Sequence, residues 1–117
     1  MSLRIAVADD EADIRDFLTR VLERLGHNVL EPASTGRELV ELCRDQQPDL
    51  VITDLRMPDM SGDEALREIV EDRCVPFIII SAFGPPDSLE FDHCQWVYLN
   101  KPVKRIDLEK AIKKLLH

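Results

Sequence analysis

The sequence predicts an α/β domain, a five-stranded parallel sheet covered by helices on both faces. Three observations carry this reading. Short apolar runs alternate with stretches of helical periodicity along the whole chain. The clearest of those runs, Val75-Pro-Phe-Ile-Ile-Ile80, is continuously apolar, as a parallel strand buried on both faces must be. The chain has 117 residues, which suits one domain over 1–117. Strand–helix alternation of this kind closes most simply as a parallel sheet, because each crossover returns the chain to the same edge direction.

The elements follow in order. Leu3 to Ala8 reads as a buried strand. Ile14, Phe17, Leu18, Val21, Leu22 and Leu25 recur at helical spacing, and Gly26 stands where a C-terminal cap belongs. Asn28-Val-Leu30 is a short second strand. Thr35-Gly-Arg-Glu38 is a capping-box pattern opening a helix that buries Leu39, Val40, Leu42 and Cys43, and Gln46-Gln-Pro48 breaks it. Asp49 to Thr53 is the third strand, ending at Asp54. A loop with Pro58 and Gly62, the latter read as permitting a turn, leads to a second capping box, Ser61-Gly-Asp-Glu64. Its helix carries Ala65, Leu66, Ile69 and Val70. Val75 to Ile80 is the fourth strand, with Pro76 near its start, where a missing N–H is tolerable. The stretch from Gly84 to Cys94 has room for two helical turns. Trp96-Val-Tyr-Leu99 is the fifth strand, and Ile106, Leu108, Ala111, Ile112, Leu115 and Leu116 mark a last helix.

Composition narrows the function classes. Hydrophobic residues make up 44% and charged residues 32%, so disorder is excluded as the main state. The net charge of −8 repels phosphate backbones and anionic lipid, which argues against nucleic acid or membrane as a partner of this domain. The apolar run at the N-terminus meets Asp9, Asp10 and Glu11 too soon for a signal peptide, and no run has the length of a membrane span. Cys43, Cys74 and Cys94 are odd in number and without a CxxC, so three reduced packing cysteines in the cytoplasm are expected, with no zinc site or disulfide framework. His27, His93 and His117 show no metal-ligand spacing.

Chemistry gathers at the strand ends. In an open parallel sheet, ligands bind beyond the carboxyl ends of the strands. Asp9 and Asp10 follow the first strand, Asp54 the third, Ser81 the fourth and Lys101 the fifth. Each alone is an ordinary solvated loop residue or helix cap. Together they bring three carboxylates to one rim, where mutual repulsion calls for a cation. A hard divalent ion such as Mg²⁺ suits one or two carboxylates plus phosphate oxygens. With an ammonium and a hydroxyl beside it, Asp54 is equipped as the nucleophile of a phosphoryl transfer.

These residues resemble the receiver domains of two-component response regulators, and the resemblance covers nearly the whole chain. Asp9-Asp10-Glu11 is similar to the family's acidic pair. Pro48 to Asp54, followed by Leu-Arg-Met57-Pro58-Asp-Met60-Ser-Gly62, is similar to its phosphoacceptor strand and loop. Ser81-Ala82 and Lys101-Pro102 match its hydroxyl position and its lysine–proline pair. The resemblance implies a (βα)5 flavodoxin-like fold, chemotaxis-receiver-like, with strand order 2-1-3-4-5. That order belongs to the family and is inherited through the resemblance, not deduced from the residues. The resemblance also implies a phosphorylation-activated module of a phosphorelay: Asp54 accepts a phosphoryl group from a phosphohistidine on a sensor histidine kinase or histidine phosphotransferase. Asp10, Asp54 and the backbone carbonyl of Arg56 would hold Mg²⁺, with Asp9 acting through water. Lys101 and Ser81 would contact the phosphoryl group, Ser81 and Tyr98 would form the switch, and Arg56 and Phe83 would modulate phosphoryl loss. The Lys101–Pro102 bond would be cis. The activity implied is that of a phosphoacceptor signalling domain with only self-phosphorylation and autodephosphorylation of its own, not an enzyme, serving a fused or separate output domain. Met57 and Met60 read as loop packing. The stretch from Ser81 to Lys101 is slightly shorter than usual in the family, and Pro85, Pro86 and Phe91 to Gln95 replace the usual small-residue turn, so the resemblance carries the chemistry and leaves dimerisation open.

Two other classes compete. An aspartyl-nucleophile phosphatase of the haloacid-dehalogenase kind would carry a second acid two positions after the nucleophile, where this chain has Arg56, and would need a cap with little chain to build it. A degenerate receiver serving as an interaction module would lack part of the Asp9, Asp10, Asp54, Ser81 and Lys101 set, which is complete here.

Overall fold

A computed structural model describes residues 2–85 and 93–116. In chain order the elements are β1 (Arg4–Ala8), α1 (Ala12–Arg24), β2 (Asn28–Val29), α2 (Gly36–Gln46), β3 (Leu50–Asp54), α3 (Gly62–Asp72), β4 (Phe77–Ser81), β5 (Trp96–Asn100) and α4 (Arg105–Leu115). All five strands are parallel, in the order β2-β1-β3-β4-β5. The helical turns expected between Gly84 and Cys94 fall largely on residues 86–92, outside the described residues.

Strand side chains alternate between the two faces of the sheet, and two cores result. Ile5, Val7, Leu50, Ile52, Ile78 and Ile80 point to one face, where Leu18, Val21 and Leu22 of α1 and Leu108, Ala111, Ile112 and Leu115 of α4 cover them. Ala6, Ala8, Val51, Phe77 and Ile79 point to the other, beneath Leu39, Val40 and Cys43 of α2 and Ala65, Leu66 and Ile69 of α3. Twelve of these larger side chains, Phe77 and Leu108 among them, are essentially inaccessible, and each contributes about 1.5–3 kcal/mol of transfer free energy. The last helix departs from its pattern at Ile106, which faces solvent.

The helix starts show how far local sequence decides. At α3 both halves of the capping box form: Glu64 N donates to Ser61 Oγ and Ser61 N to Glu64 Oε1. At α2 only the forward half forms, Glu38 N to Thr35 Oγ1 at 3.1 Å. The Glu38 carboxylate instead accepts from Ser34 N and Ser34 Oγ. Gly26 takes a φ of +93° just past α1, a conformation that needs a glycine. Gly62 does not serve a turn. It is the buried first residue of α3, and a Cβ there would lie 1.9 Å from the Asp54 carbonyl oxygen, so glycine is required by close approach.

The expectation of three reduced cysteines is corrected. Cys74 and Cys94 form a disulfide, with Cα atoms 5.7 Å apart, and only Cys43 is a free thiol among the described residues. The reason lies in the register. Phe77 of β4 pairs with Trp96 of β5, and each cysteine stands just ahead of its strand, so two residues far apart in sequence meet at the N-terminal edge of the sheet.

Candidate functional site

The opposite edge of the sheet carries the acids. Asp9 follows β1 directly and is almost fully buried. Its N–H donates to Ala33 O, its Oδ1 accepts from Glu11 N at 2.9 Å, and Arg15 Nη1 donates to its carbonyl at 2.8 Å. This turn starts α1 and fixes the Asp9 carboxylate over the end of β1. Asp10 is exposed at the same rim. Asp54 is the last residue of β3, is buried, and is held from behind by the backbone contact with Gly62.

Lys101 links these acids. Its Nζ lies 2.9 Å from Asp54 Oδ2, 3.1 Å from Asp9 Oδ2 and 3.7 Å from Glu11 Oε1. The cis Lys101–Pro102 peptide expected from the resemblance is present, and Lys101 N donates to Ser81 O at 3.1 Å, which brings the lysine over the end of β4. Burial works against the ammonium, but the Asp54 and Asp9 carboxylates outweigh it and hold the Lys101 pKa above its ordinary value. Asp9 moves the other way: burial raises its pKa and repulsion from Asp54 adds to the rise, against the opposing pull of Glu11 N–H and Lys101.

Asp9, Asp10 and Asp54 each offer an oxygen within 4.8 Å of the others. Asp9 Oδ2 has no hydrogen-bond donor aligned with it, its contact to Lys101 being an ion pair. Of these three close carboxylates, one has an under-coordinated buried oxygen and a raised pKa, and two, Asp9 and Asp54, share the Lys101 ammonium. That donor set is all oxygen and fits a hard divalent cation. Sequence alone does not single out Glu11 as a site residue; its place beside Asp9-Asp10 is the available signal.

The hydroxyl and aromatic residues occupy the same rim. Ser81 is buried, and its Oγ accepts from Phe83 N at 3.0 Å. The Tyr98 hydroxyl donates to Asn100 Oδ1 and lies 3.2 Å from Ser81 O. Trp96 and Tyr98 pack on the α2/α3 core from the edge strand, and the Trp96 ring stacks on Phe77 with centroids 5.9 Å apart. The Arg56 guanidinium sits 4.1 Å from the centroid of the Phe83 ring, so two residues far apart in sequence form one cation–π pair at the rim. Met60 is buried and Met57 partly buried against the same core.

Comparison with known proteins bears on this arrangement. The family profile "Response regulator receiver domain" matches residues 5–113. The transcriptional regulatory protein PdtaR of Mycobacterium tuberculosis is 39% identical over 111 residues, covering 93% of this chain and 54% of that protein. A response regulator receiver domain protein from Clostridium thermocellum superposes with a TM-score of 0.86 at 35% identity, covering 97% of this chain and 93% of the other. The receiver domain of a Pseudomonas aeruginosa sensor histidine kinase, solved with a magnesium ion coordinated in its active-site cleft, superposes with a TM-score of 0.84 at 26% identity, covering 98% of each chain. The chain spans about half the length of the first curated relatives it matches.

Proposed function

Since this chain belongs to the response regulator receiver domain family, we propose that it works as a phosphorylation-driven switch in which Asp54 accepts a phosphoryl group from a partner phosphohistidine. The observation that carries this reading is Asp54 at the end of β3, with Lys101 Nζ at 2.9 Å and two more carboxylates within 4.8 Å. An Asp54 oxygen forms a bond to phosphorus while the bond from phosphorus to the partner's imidazole nitrogen breaks. The imidazole leaves with that electron pair and regains a proton from solvent. Lys101, already charged and aimed at Asp54, meets the negative charge that builds on the phosphoryl oxygens.

Asp10, Asp54 and the Arg56 carbonyl are the groups that would hold Mg²⁺, with Asp9 acting through water. The ion when bound supplies the positive charge that lets crowded carboxylates and a phosphoryl group share one site. Ser81 Oγ turns from Phe83 N toward the new phosphoryl oxygens, and Tyr98 follows into the space behind it. The Arg56–Phe83 pair stands at the rim and slows the approach of water to the acyl phosphate. The partners are a sensor histidine kinase or histidine phosphotransferase and an output domain, fused or separate, in the cytoplasm. The chain is a phosphoacceptor and not an enzyme acting on a separate substrate.

Radiolabelled acetyl phosphate with Mg²⁺ tests this. The expected result is one stable label on the wild type, none on Asp54→Asn, and faster decay of the label in Phe83→Ala. Equal labelling of Asp54→Asn would remove Asp54 as the acceptor. Rapid turnover without accumulation would indicate a phosphatase, and absence of label an interaction module.

A further inference from the structure

At the far edge of the sheet from Asp54, a second group of donor atoms has no part in this chemistry. Cys74, between α3 and β4, and Cys94, ahead of β5, are joined by His93, and one ligand atom from each lies within 4.8 Å of the others. Cys74 Sγ is also 3.4 Å from the His93 carbonyl oxygen. Cys74 and His93 are exposed and Cys94 is buried, so the group is anchored on one side and open to solvent on the other.

We propose that Cys74, His93 and Cys94, once the disulfide is reduced, form a thiolate–imidazole site for Zn²⁺. The donor chemistry decides the class of ion. Two thiolates and an imidazole are soft to borderline ligands, which select Zn²⁺ over the hard cations suited to the carboxylate rim. Ligand atoms of a tetrahedral zinc site stand about 3.5–3.8 Å apart, given bonds of about 2.0–2.3 Å; reduction lets the two sulfurs separate from bonding distance to this spacing, and the His93 ligand atom already lies within 4.8 Å of both. Three protein donors leave the fourth position to water or a small ligand. The cysteines are preset by β4–β5 pairing, through the Phe77–Trp96 register, so little backbone ordering accompanies binding.

The two states exclude each other. A dithiol reductant delivers two electrons and two protons to the Cys74–Cys94 bond, giving two thiols and an oxidised reductant. Zn²⁺ then displaces both thiol protons. A two-electron oxidant such as a small-molecule disulfide accepts the electron pair, leaves as two thiols, re-forms the Cys74–Cys94 bond and so releases the ion. Cys43 does not take part: burial pushes its thiol pKa up to about 12, and it sits among the side chains beneath α2.

The test uses the full chain, reduced with a dithiol, freed of reductant without oxygen, and titrated with Co²⁺ and with Zn²⁺. The expected result is a 1:1 thiolate-to-Co²⁺ charge-transfer band that Zn²⁺ abolishes. It persists in Asp54→Asn and Cys43→Ser, is lost in Cys74→Ser and in the oxidised protein, and His93→Ala weakens Zn²⁺ binding at least about tenfold. In the wild type, Zn²⁺ should also protect Cys74 and Cys94 from alkylation, as read by mass spectrometry, which avoids any variant that folds poorly. No thiolate band, a band unchanged in Cys74→Ser, unchanged affinity in His93→Ala, or alkylation unaffected by Zn²⁺ would each overturn the proposal.

Discussion

At Asp9 a carboxylate is almost fully buried, 3.1 Å from one ammonium and close to two other acids. Burial, then repulsion from Asp54, raises its folded pKa above the value of 3.8 that it has in an unfolded chain. A carboxyl shifted this way opposes folding when ionised. The penalty is full at neutral pH, shrinks as pH falls through the raised folded pKa, and is gone below the unfolded value. Asp9→Asn keeps the Oδ1 acceptor for Glu11 N and removes the charge. Without metal it should therefore melt higher than wild type at pH 7, each kcal/mol gained raising the midpoint by roughly 4 °C. Thermal melts across pH check this: the gap should close toward acid, and a variant that melts lower at neutral pH would contradict it. The acids, lysine and serine are legible one by one in the sequence, because a parallel sheet sends every strand's end to one rim. The ranking of Asp9 as the strained member is not, since it depends on which carboxylate the turn at Glu11 pulls under cover.

At the level of elements, the start of α3 decides how Asp54 is held. Glycine at a helix position usually invites replacement by alanine, which is favoured by up to about 1 kcal/mol from propensity alone. At Gly62 the added Cβ would stand 1.9 Å from the Asp54 carbonyl oxygen. The overlap is with backbone, so it cannot be relieved by a rotamer change, and forcing such a shift costs about 1–3 kcal/mol. Gly62→Ala should lower stability by about 2 kcal/mol in denaturant titrations and slow labelling by acetyl phosphate; an unchanged midpoint would show that the helix start gives way. Sequence reads Gly62 as a turn residue because contact with another strand's backbone leaves no local pattern. The capping boxes differ for the same kind of reason: Asp63 shares the Ser61 hydroxyl but leaves the Glu64 carboxylate on Ser61 N, whereas Ser34 captures the Glu38 carboxylate.

Across the whole molecule, β5 lies at the sheet edge and connects the carboxylate rim to a face of the protein through Tyr98 and Trp96. A charge-assisted hydrogen bond from Ser81 to a phosphoryl oxygen is worth roughly 1.5–3 kcal/mol, enough to shift a two-state equilibrium about tenfold or more. Trp96 is the only tryptophan. Mg²⁺ with beryllium fluoride should change its emission, and Ser81→Ala should greatly reduce that change. A flat signal at saturating mimic, with binding shown independently, would count against this route, and an undiminished signal in Ser81→Ala would remove the hydroxyl as its cause. The sheet and its helical layers are readable from periodicity. The strand order comes from the resemblance, and the Cys74–Cys94 pairing from neither, because it needs the β4–β5 register.

Gly36 and Gly62 grip one loop from its two sides. A Cβ on Gly36 would meet Met60 O at 2.1 Å, as one on Gly62 would meet Asp54 O. The loop 55–61 between these jaws also carries Arg56, whose guanidinium lies on Phe83. For descendants of this sequence the jaws are fixed points, open to change only together with loop length. Of the exposed positions between them, Asp59 is held to a φ of +67°, which favours Asp, Asn or Gly, so Arg56 and Pro58 are the side chains with most room to vary over an unmoved backbone. Sequence change in this loop thus has a place to occur that leaves Asp54 and the carboxylate rim in position.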